Sequence, residues 1–390
     1  MGSKASSSGQ GSNGVISILE LTASSRGGGA AHVRDLARTV DSSRFTRAVA
    51  MAEDGGNVTE ADFTDYGVPF HQLDIAGSPS LTALLKLRRL LRQESFDILH
   101  CHGARAASYG RAVAGLLGGG RPRVVYTIHG FAAPHYSLPR RTILLWIERA
   151  LTPVTDAVIC VSGAERQDFL GAGFGPPERL HLVRHGIDAG RFRDVVVDTA
   201  AQRAALDVPA DAPLVTTICR LYRPRDFDTL LSGFAMVRAE FPNAHLLIVG
   251  DGPYRQRIES HISELSLVPY VTLAGFRRDI PEVLAVSDIF VLSTALWEAL
   301  GLTILEAMAS QVPVVASDVG GIKEAVSHQE TGIVVPPRDP GALSEALLDL
   351  LANEQKAKVM GQNGRRRVEQ LFTLHRMTRE TMAIYEGLMG

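Results

Sequence analysis

Two carboxylates, Glu298 and Glu306, bracket the stretch Trp297-Glu298-Ala299-Leu300-Gly301-Leu302-Thr303-Ile304-Leu305-Glu306. The run Ser287 to Ser293 before it is almost wholly apolar, the mark of a parallel strand buried on both faces. After Gly301 the pattern turns helical, with Leu302, Leu305 and Met308 on one side. A strand, a glycine turn and a helix start aim free backbone N–H groups and a positive dipole end at whatever sits above the strand, and a phosphate suits that position. Glu306, a turn inside the helix, cannot take a phosphate, but a carboxylate can accept two hydrogen bonds from a vicinal diol such as a ribose. Glu298, on the loop, faces the far side of the same anion. Acids on both sides of a phosphate site imply hydroxyls at both ends of a diphosphate, as in a nucleotide sugar. A solvated Glu near a helix start is the bland alternative, and the spacing alone does not separate the two.

Other residues could serve the same ligand. Arg220 ends a strand-like run, and Arg223 and Arg225 sit in the turn before a helix starting near Asp226, a place that suits a bidentate clamp on a diphosphate. Gly27-Gly28-Gly29 lies between a first strand and a first helix, where glycines let a phosphate or sugar come close. The fingerprint G-x-G-x-x-G is absent there, which argues against a dinucleotide site. His100, His102 and His129 fall at strand ends; position alone does not separate a ligand from a capped turn. Asp226-Phe227-Asp228 has a D-x-D form but reads better as a helix N-terminus, and no Asp/Glu/His cluster has metal-ligand spacing. The expectation is therefore no bound metal and no cofactor, with a nucleotide-diphosphate sugar as co-substrate.

These residues need a frame. The chain has 390 residues, 45% hydrophobic and 21% charged, which suits two soluble domains. Net charge is -2, so nothing points to nucleic acid. Residues 1–190 carry +3 and residues 191–390 carry -5, and the slightly basic first half is compatible with a membrane surface. Cys101, Cys160 and Cys219 are scattered, as buried reduced thiols of a cytoplasmic protein are. No stretch approaches 18 uninterrupted apolar residues, so no span is expected.

Residues 1–14 are Ser/Gly-rich and read as a disordered leader or tag; Met1-Gly2-Ser3-Lys4-Ala5-Ser6 also fits a myristoylation pattern. From residue 15, strand-like and helix-like stretches alternate, which predicts α/β doubly wound parallel sheets with ligands at the carboxyl ends of the strands. Polar, irregular sequence places the interdomain linker at about 186–210. Residues 140–151 form a basic amphipathic helix whose apolar side is expected in the core, with lipid contact as the alternative.

Read together, Arg220-Leu221, Gly250-Asp251-Gly252-Pro253, Leu273-Ala274-Gly275-Phe276, Glu298-x7-Glu306 and Asp318-Val319-Gly320-Gly321-Ile322-x-Glu324 resemble the motifs of retaining GT-B glycosyltransferases of family 4. Thr331 to Pro337 joins them. The likeness covers nearly everything after residue 14. It implies two Rossmann-like domains facing across a cleft: residues 15–190 on the acceptor side, residues 191–372 holding the donor, and a final helix, 373–390, crossing back. By this likeness Arg220 and Arg225 clamp the diphosphate, Glu306 takes the ribose and Glu298 takes sugar hydroxyls. Backbone at Gly275, Phe276 and Arg277 takes the base, and Ala299, Leu300, Gly301, Leu302 and Thr303 line the donor. His129 and Gly27-Gly28-Gly29 approach the transferred sugar and phosphate.

The implied reaction is metal-independent transfer from a nucleotide sugar, a UDP-sugar foremost, to a hydroxyl acceptor with retention. Same-face attack would be assisted by the leaving phosphate, in polysaccharide, glycolipid or glycosylated-metabolite synthesis. A cytoplasmic enzyme, peripheral at the inner membrane face at most, is expected. Three positions depart from the pattern: Arg225 stands for a lysine, His185 for an asparagine before Gly186, and Ala299 for a glycine. A nucleotide-sugar-binding protein without turnover and a sugar-nucleotide epimerase of the same fold are the rivals; a nicotinamide oxidoreductase is disfavoured by the missing fingerprint.

Overall fold

In the computed structural model, residues 14–131, 136–222 and 225–390 are described. Arg223 and nearly all of the Ser/Gly-rich leader lie outside them. The first sheet has seven parallel strands: β1 (Ile16–Thr22), β2 (Phe45–Met51), β3 (Phe70–Gln72), β4 (Ile98–His102), β5 (Arg123–Thr127), β6 (Ala157–Cys160) and β7 (Leu180–Leu182). Their order is β3-β2-β1-β4-β5-β6-β7. The second sheet has six: β8 (Leu214–Ile218), β9 (His245–Val249), β10 (Val271–Gly275), β11 (Ile289–Leu292), β12 (Val314–Ser317) and β13 (Gly332–Val335), in the order β10-β9-β8-β11-β12-β13. The α/β, two-sheet Rossmann-like architecture thus stands.

Parallel strands need both faces covered, and the packing shows it. Leu19 and Leu21 of β1 enter one core and Ile18 enters the core on the other face. Leu214 and Val215 of β8 divide the same way. In each sheet the order reverses at one place, between β1 and β4 and between β8 and β11, and a crevice opens there beyond the strand ends. The β1 and β4 ends lead to Gly27 and His102; the β8 and β11 ends lead to Arg225 and Glu298.

The chain passes between the sheets twice. Ile187 donates its N–H to the Phe372 carbonyl at 2.9 Å and accepts from Leu374 N–H at 3.1 Å. The last helix, Leu374–Met389, then packs Leu374, Met377 and Tyr385 against Ile18, Phe45 and Val125 of the first domain. Glu324 of the second domain ties back to the first: it accepts from Ala164 N–H at 2.9 Å and from Arg184 Nε at 3.0 Å.

Two expectations need correction. The glycines at 27–29 are not a loop but the opening turn of the helix Gly27–Thr39, whose preceding residue, Arg26, is extended. The free amides of a first helical turn take the place of a loop's. The basic helix Leu138–Leu151 buries only part of its apolar side, Leu145 packing half-buried on the first domain's core. Leu138, Ile143 and Trp146 are 75%, 60% and 69% exposed, and the one buried residue of the helix is Glu148, which receives both arms of Arg111 at 2.8 Å. That charged pair, together with Leu145, anchors this helix to the domain.

Candidate active site

On the second domain the site is built around the helix Leu302–Ala309. Gly301 precedes it at φ 82°, a left-handed turn that frees the first amides of the helix toward the crevice. Ile304, Leu305, Ala307 and Met308 are buried and hold the helix down. Leu302 leans across instead. Its Cδ1 would lie 3.0 Å from a Cβ placed on Gly28, so the two helix starts approach most closely where residue 28 has no side chain. A Cβ on Gly130 would run into the Trp297 ring, a second narrow point. The sequence-predicted Gly28, His129, Glu298, Leu302 and Glu306 therefore border one cleft.

Among the described residues the Glu306 carboxylate makes no side-chain hydrogen bond. Burial pushes its pKa up to about 7; Arg191 and Arg34 act to lower it and Asp35 to raise it. Those three residues come from the first domain and the connector, so Glu306 looks across the cleft. It is an acceptor without a partner where a diol is expected.

Glu298 is engaged. Its Oε2 lies 2.5 Å from Arg225, which also donates to Thr294 Oγ1 at 2.7 Å. The pair is largely enclosed, with side chains 17% and 14% exposed for Arg225 and Glu298. Arg225 thus braces the loop carrying Glu298, a link that strand-turn-helix reasoning missed because Thr294 lies 69 residues from it. Arg220 is exposed, its guanidinium 4.8 Å from the Tyr222 ring centre. Arg277 pairs with Asp279 at 2.8 Å, Phe276 is 59% exposed, and Gly275 turns at φ 68°. Asp226 caps the helix Phe227–Glu240 by accepting from Thr229 N–H at 3.1 Å, so the D-x-D form is a helix cap.

The first domain supplies what the sequence did not signal: a nest of histidines. His32, His102, His129 and His185 stack and abut with ring centres 4.9–5.3 Å apart. Glu20 of β1 is fully buried beside them, 2.7 Å from His102 Nε2. Burial holds His102 and His185 down to about 4, and His32 and His129 well below the usual imidazole range. All four rings are therefore neutral near pH 7. His129 sits at φ 57°, and the turn is held by Glu165, which accepts from Gly130 N–H at 2.5 Å and Val161 N–H at 2.8 Å. Both ring nitrogens of His129 face other histidines, at 3.0 and 3.3 Å.

The expectation that no Asp/Glu/His cluster exists is thus corrected. One nitrogen each from His32, His102 and His129 lie within 4.8 Å of one another, as do ligand atoms of Glu20, His100 and His102. The spacing hid this because the four histidines come from three separate strand ends and one helix. Both groups are in the first domain. Among the described residues no such group lies beside Arg225, Glu298 or Glu306.

The chain matches two family models: "Glycosyltransferase Family 4" over residues 26–191 and "Glycosyl transferases group 1" over residues 198–367. It is 30% identical over 296 residues to a GDP-mannose-dependent alpha-(1-6)-phosphatidylinositol monomannoside mannosyltransferase of Mycobacterium tuberculosis, covering 74% of this chain and 75% of the relative. It is 26% identical over 300 residues to the UDP-Gal:alpha-D-GlcNAc-diphosphoundecaprenol alpha-1,3-galactosyltransferase of Escherichia coli, covering 75% and 76%. A crystal structure of Anabaena HepE in complex with UDP and glucose superposes with a TM-score of 0.83 at 23% identity, covering 95% of this chain and all of that one.

Proposed function

Since this chain belongs to the family 4 glycosyltransferases and uses nucleotide sugars, we propose that it moves a hexose-type sugar from a UDP-sugar to a hydroxyl acceptor, with retention and without a metal ion. One observation carries the reading: Glu306 stands unpartnered on the donor-side helix, one turn behind amides that face the opening turn of the first domain's own helix. In this reading the diphosphate lies on the amides after Gly301, with the ribose on Glu306 and the sugar toward Glu298; His129, both of whose ring nitrogens meet other histidines, acts behind the sugar rather than on it. Departure of the nucleotide concentrates negative charge on the diphosphate, and in this reading the amides after Gly301, with Arg220 and Arg225, stabilise it. The donor set on that side is guanidinium and amide, which favours charge stabilisation without a cation. The choice of UDP draws on the galactosyltransferase and on HepE, and the mannosyltransferase makes a GDP-sugar the competing donor.

A thermal-shift screen of UDP- and GDP-sugars, followed by assay of nucleotide release with candidate acceptors in excess EDTA, tests this. Stabilisation by a UDP-sugar and acceptor-dependent release of UDP in EDTA are expected. Complete, magnesium-reversible loss in EDTA overturns metal independence. Release of nucleotide or of an isomerised sugar without acceptor favours the epimerase.

The acceptor side carries a further proposal. No helix among the described residues is long and apolar enough to cross a membrane. The exposed Leu138, Ile143 and Trp146, flanked by Arg140, Arg141 and Arg149, suit the interface of an anionic bilayer. Burying a Trp and an Ile there contributes about 2 kcal/mol each, and each Arg about 1 kcal/mol. The two relatives named above act, by their names, on lipid-linked acceptors, and we propose the same class here. Co-sedimentation with phosphatidylglycerol vesicles, absent with phosphatidylcholine and lost in Ile143→Glu/Trp146→Glu, is the expected result. Equal sedimentation of wild type and the double variant removes this helix from the proposal.

A further inference from the structure

We propose that the buried carboxylate of Glu20 sets the proton positions of a chain of four imidazoles, and so presents Nε2 of His32 to the cleft as the acceptor for a substrate hydroxyl. The proposal deepens the transfer reaction above and rests on it only for the identity of that hydroxyl; the proton chain itself does not depend on it.

The chain can be followed one donor at a time. Burial alone would raise the Glu20 carboxyl, but ring nitrogens of His100 and His102, 3.1 and 2.7 Å from its Oε2, hold it well below the ordinary range, so it is ionised. An ionised carboxylate only accepts. His102 Nε2, 2.7 Å away, therefore carries the proton. A neutral imidazole has one N–H, so His102 Nδ1 is a lone pair. It faces His129 Nε2 at 3.0 Å, which must donate. His129 Nδ1 is then the acceptor, 3.3 Å from His185 Nε2. His185 Nε2 donates, His185 Nδ1 accepts, and His32 Nδ1 donates to it at 3.2 Å. His32 Nε2 is left as a bare lone pair, and among the described residues it has no hydrogen-bond partner. The reverse direction would set an imidazole lone pair against the Glu20 carboxylate and forfeit a charge-assisted bond, the stronger kind.

His32 is at the right place for such an acceptor. It lies one turn after Gly28 on the same side of the helix Gly27–Thr39. Gly28 is where that helix meets Leu302 of the donor domain. The His32 ring is therefore one turn along from a point where the two domains touch, and it is 5% exposed. Glu20, His102, His129 and His185 act through their neighbours and are positioning residues; His32 is the group that meets substrate.

A cation held by His32, His102 and His129 would need a lone pair from each at once. In this arrangement His102 Nδ1 and His129 Nε2 share one proton, so the metal reading and the proton chain exclude each other.

The test is long-range 15N–1H spectroscopy of imidazole-15N-labelled full-length protein, in which the two neutral tautomers give distinct nitrogen shifts. His32 is assigned by comparison with His32→Gln. In wild type, His32 should show Nδ1–H and His102, His129 and His185 should show Nε2–H. Because Glu20→Gln could impair folding, His185→Asn is the second variant: cutting the chain there should leave His102 and His129 unchanged and turn His32 into a mixture of tautomers. His32 found as Nε2–H in wild type, or unmoved by both variants, overturns the proposal. So does one equivalent of tightly held zinc that is lost in His102→Gln. In the transfer assay, run at a temperature where both proteins are folded, His32→Ala should lower kcat/KM at least tenfold. Unaltered kcat/KM with the expected tautomers overturns hydroxyl recognition and leaves the chain standing. Failure of every sugar nucleotide to react with wild type sinks the proposed function and leaves the spectra unaffected.

Discussion

Glu306→Gln should make the ligand-free protein more stable above pH 7 while weakening its hold on nucleotide. Burial lifts the carboxyl from its ordinary 4.5 to about 7. A group whose folded pKa lies above its unfolded one binds its proton more tightly when folded. The stability this confers is fully present below pH 4.5 and is lost as pH rises through 7. Above that, the ionised Glu306 costs about 1–2 kcal/mol once its partial exposure is allowed for. Glutamine removes that cost, and the unfolding midpoint at pH about 8 should rise by a few degrees. The same substitution replaces an ionised acceptor of two hydrogen bonds by a weaker one, costing tenfold or more in affinity. Wild-type nucleotide affinity should also climb with pH up to about 7 and then level off, whereas that of Glu306→Gln should be flat. Calorimetric titration with free UDP across this range, beside thermal unfolding of both proteins, reads both effects. Equal affinity in the two proteins would sink the ribose assignment.

The second large effect is expected at Arg225, which serves two ends. Toward the protein it neutralises Glu298 and ties it to Thr294. Toward substrate its proposed role is to meet charge on the diphosphate. Arg225→Ala leaves the Glu298 carboxylate enclosed with no more than Ala299 N–H at 3.2 Å as partner. Losing one member of a mostly buried pair should cost about 2–4 kcal/mol in stability. kcat/KM should fall by a comparable free energy, roughly 30- to 1000-fold. Arg225→Lys keeps the charge but not the fork, and should retain most stability and activity. Glu298→Gln should keep the fold and lose turnover, because an amide still accepts from Arg225. Urea unfolding and kcat/KM on the three variants separate the two roles. If Arg225→Ala unfolds early yet reacts within twofold of wild type, Arg225 is a brace and Arg220 alone remains to meet the diphosphate.

What could be read beforehand followed physical locality. Continuous apolar runs alternating with helical periodicity are local signals, and the thirteen strands fall on those runs. The Gly301 turn and the helix behind it were legible for the same reason. The histidine nest was not, because His32, His102, His129 and His185 meet only after the strand order has folded their elements together. The Arg225–Glu298 pair was hidden likewise. That the apolar side of the helix Leu138–Leu151 divides between core and solvent was hidden for a different cause: periodicity shows that a face is apolar but not what it faces. Its anchor, Arg111 to Glu148, is a long-range charge pair that no helical pattern announces.

The returning last helix has a consequence for synthesis. Tyr385 is fully buried in the first domain, its hydroxyl 2.6 Å from His100 Nδ1 and 3.3 Å from Glu20, and Glu20 precedes it by 365 residues. Until that tyrosine has left the ribosome, the first domain has a hole in its core beside an ionised carboxylate. From the end of the first domain, about residue 190, to Tyr385 the wait at ordinary elongation rates is roughly 10–40 s. The first domain therefore cannot finish folding before the second has been made, although it emerges first, and the nascent chain must remain unaggregated for that interval.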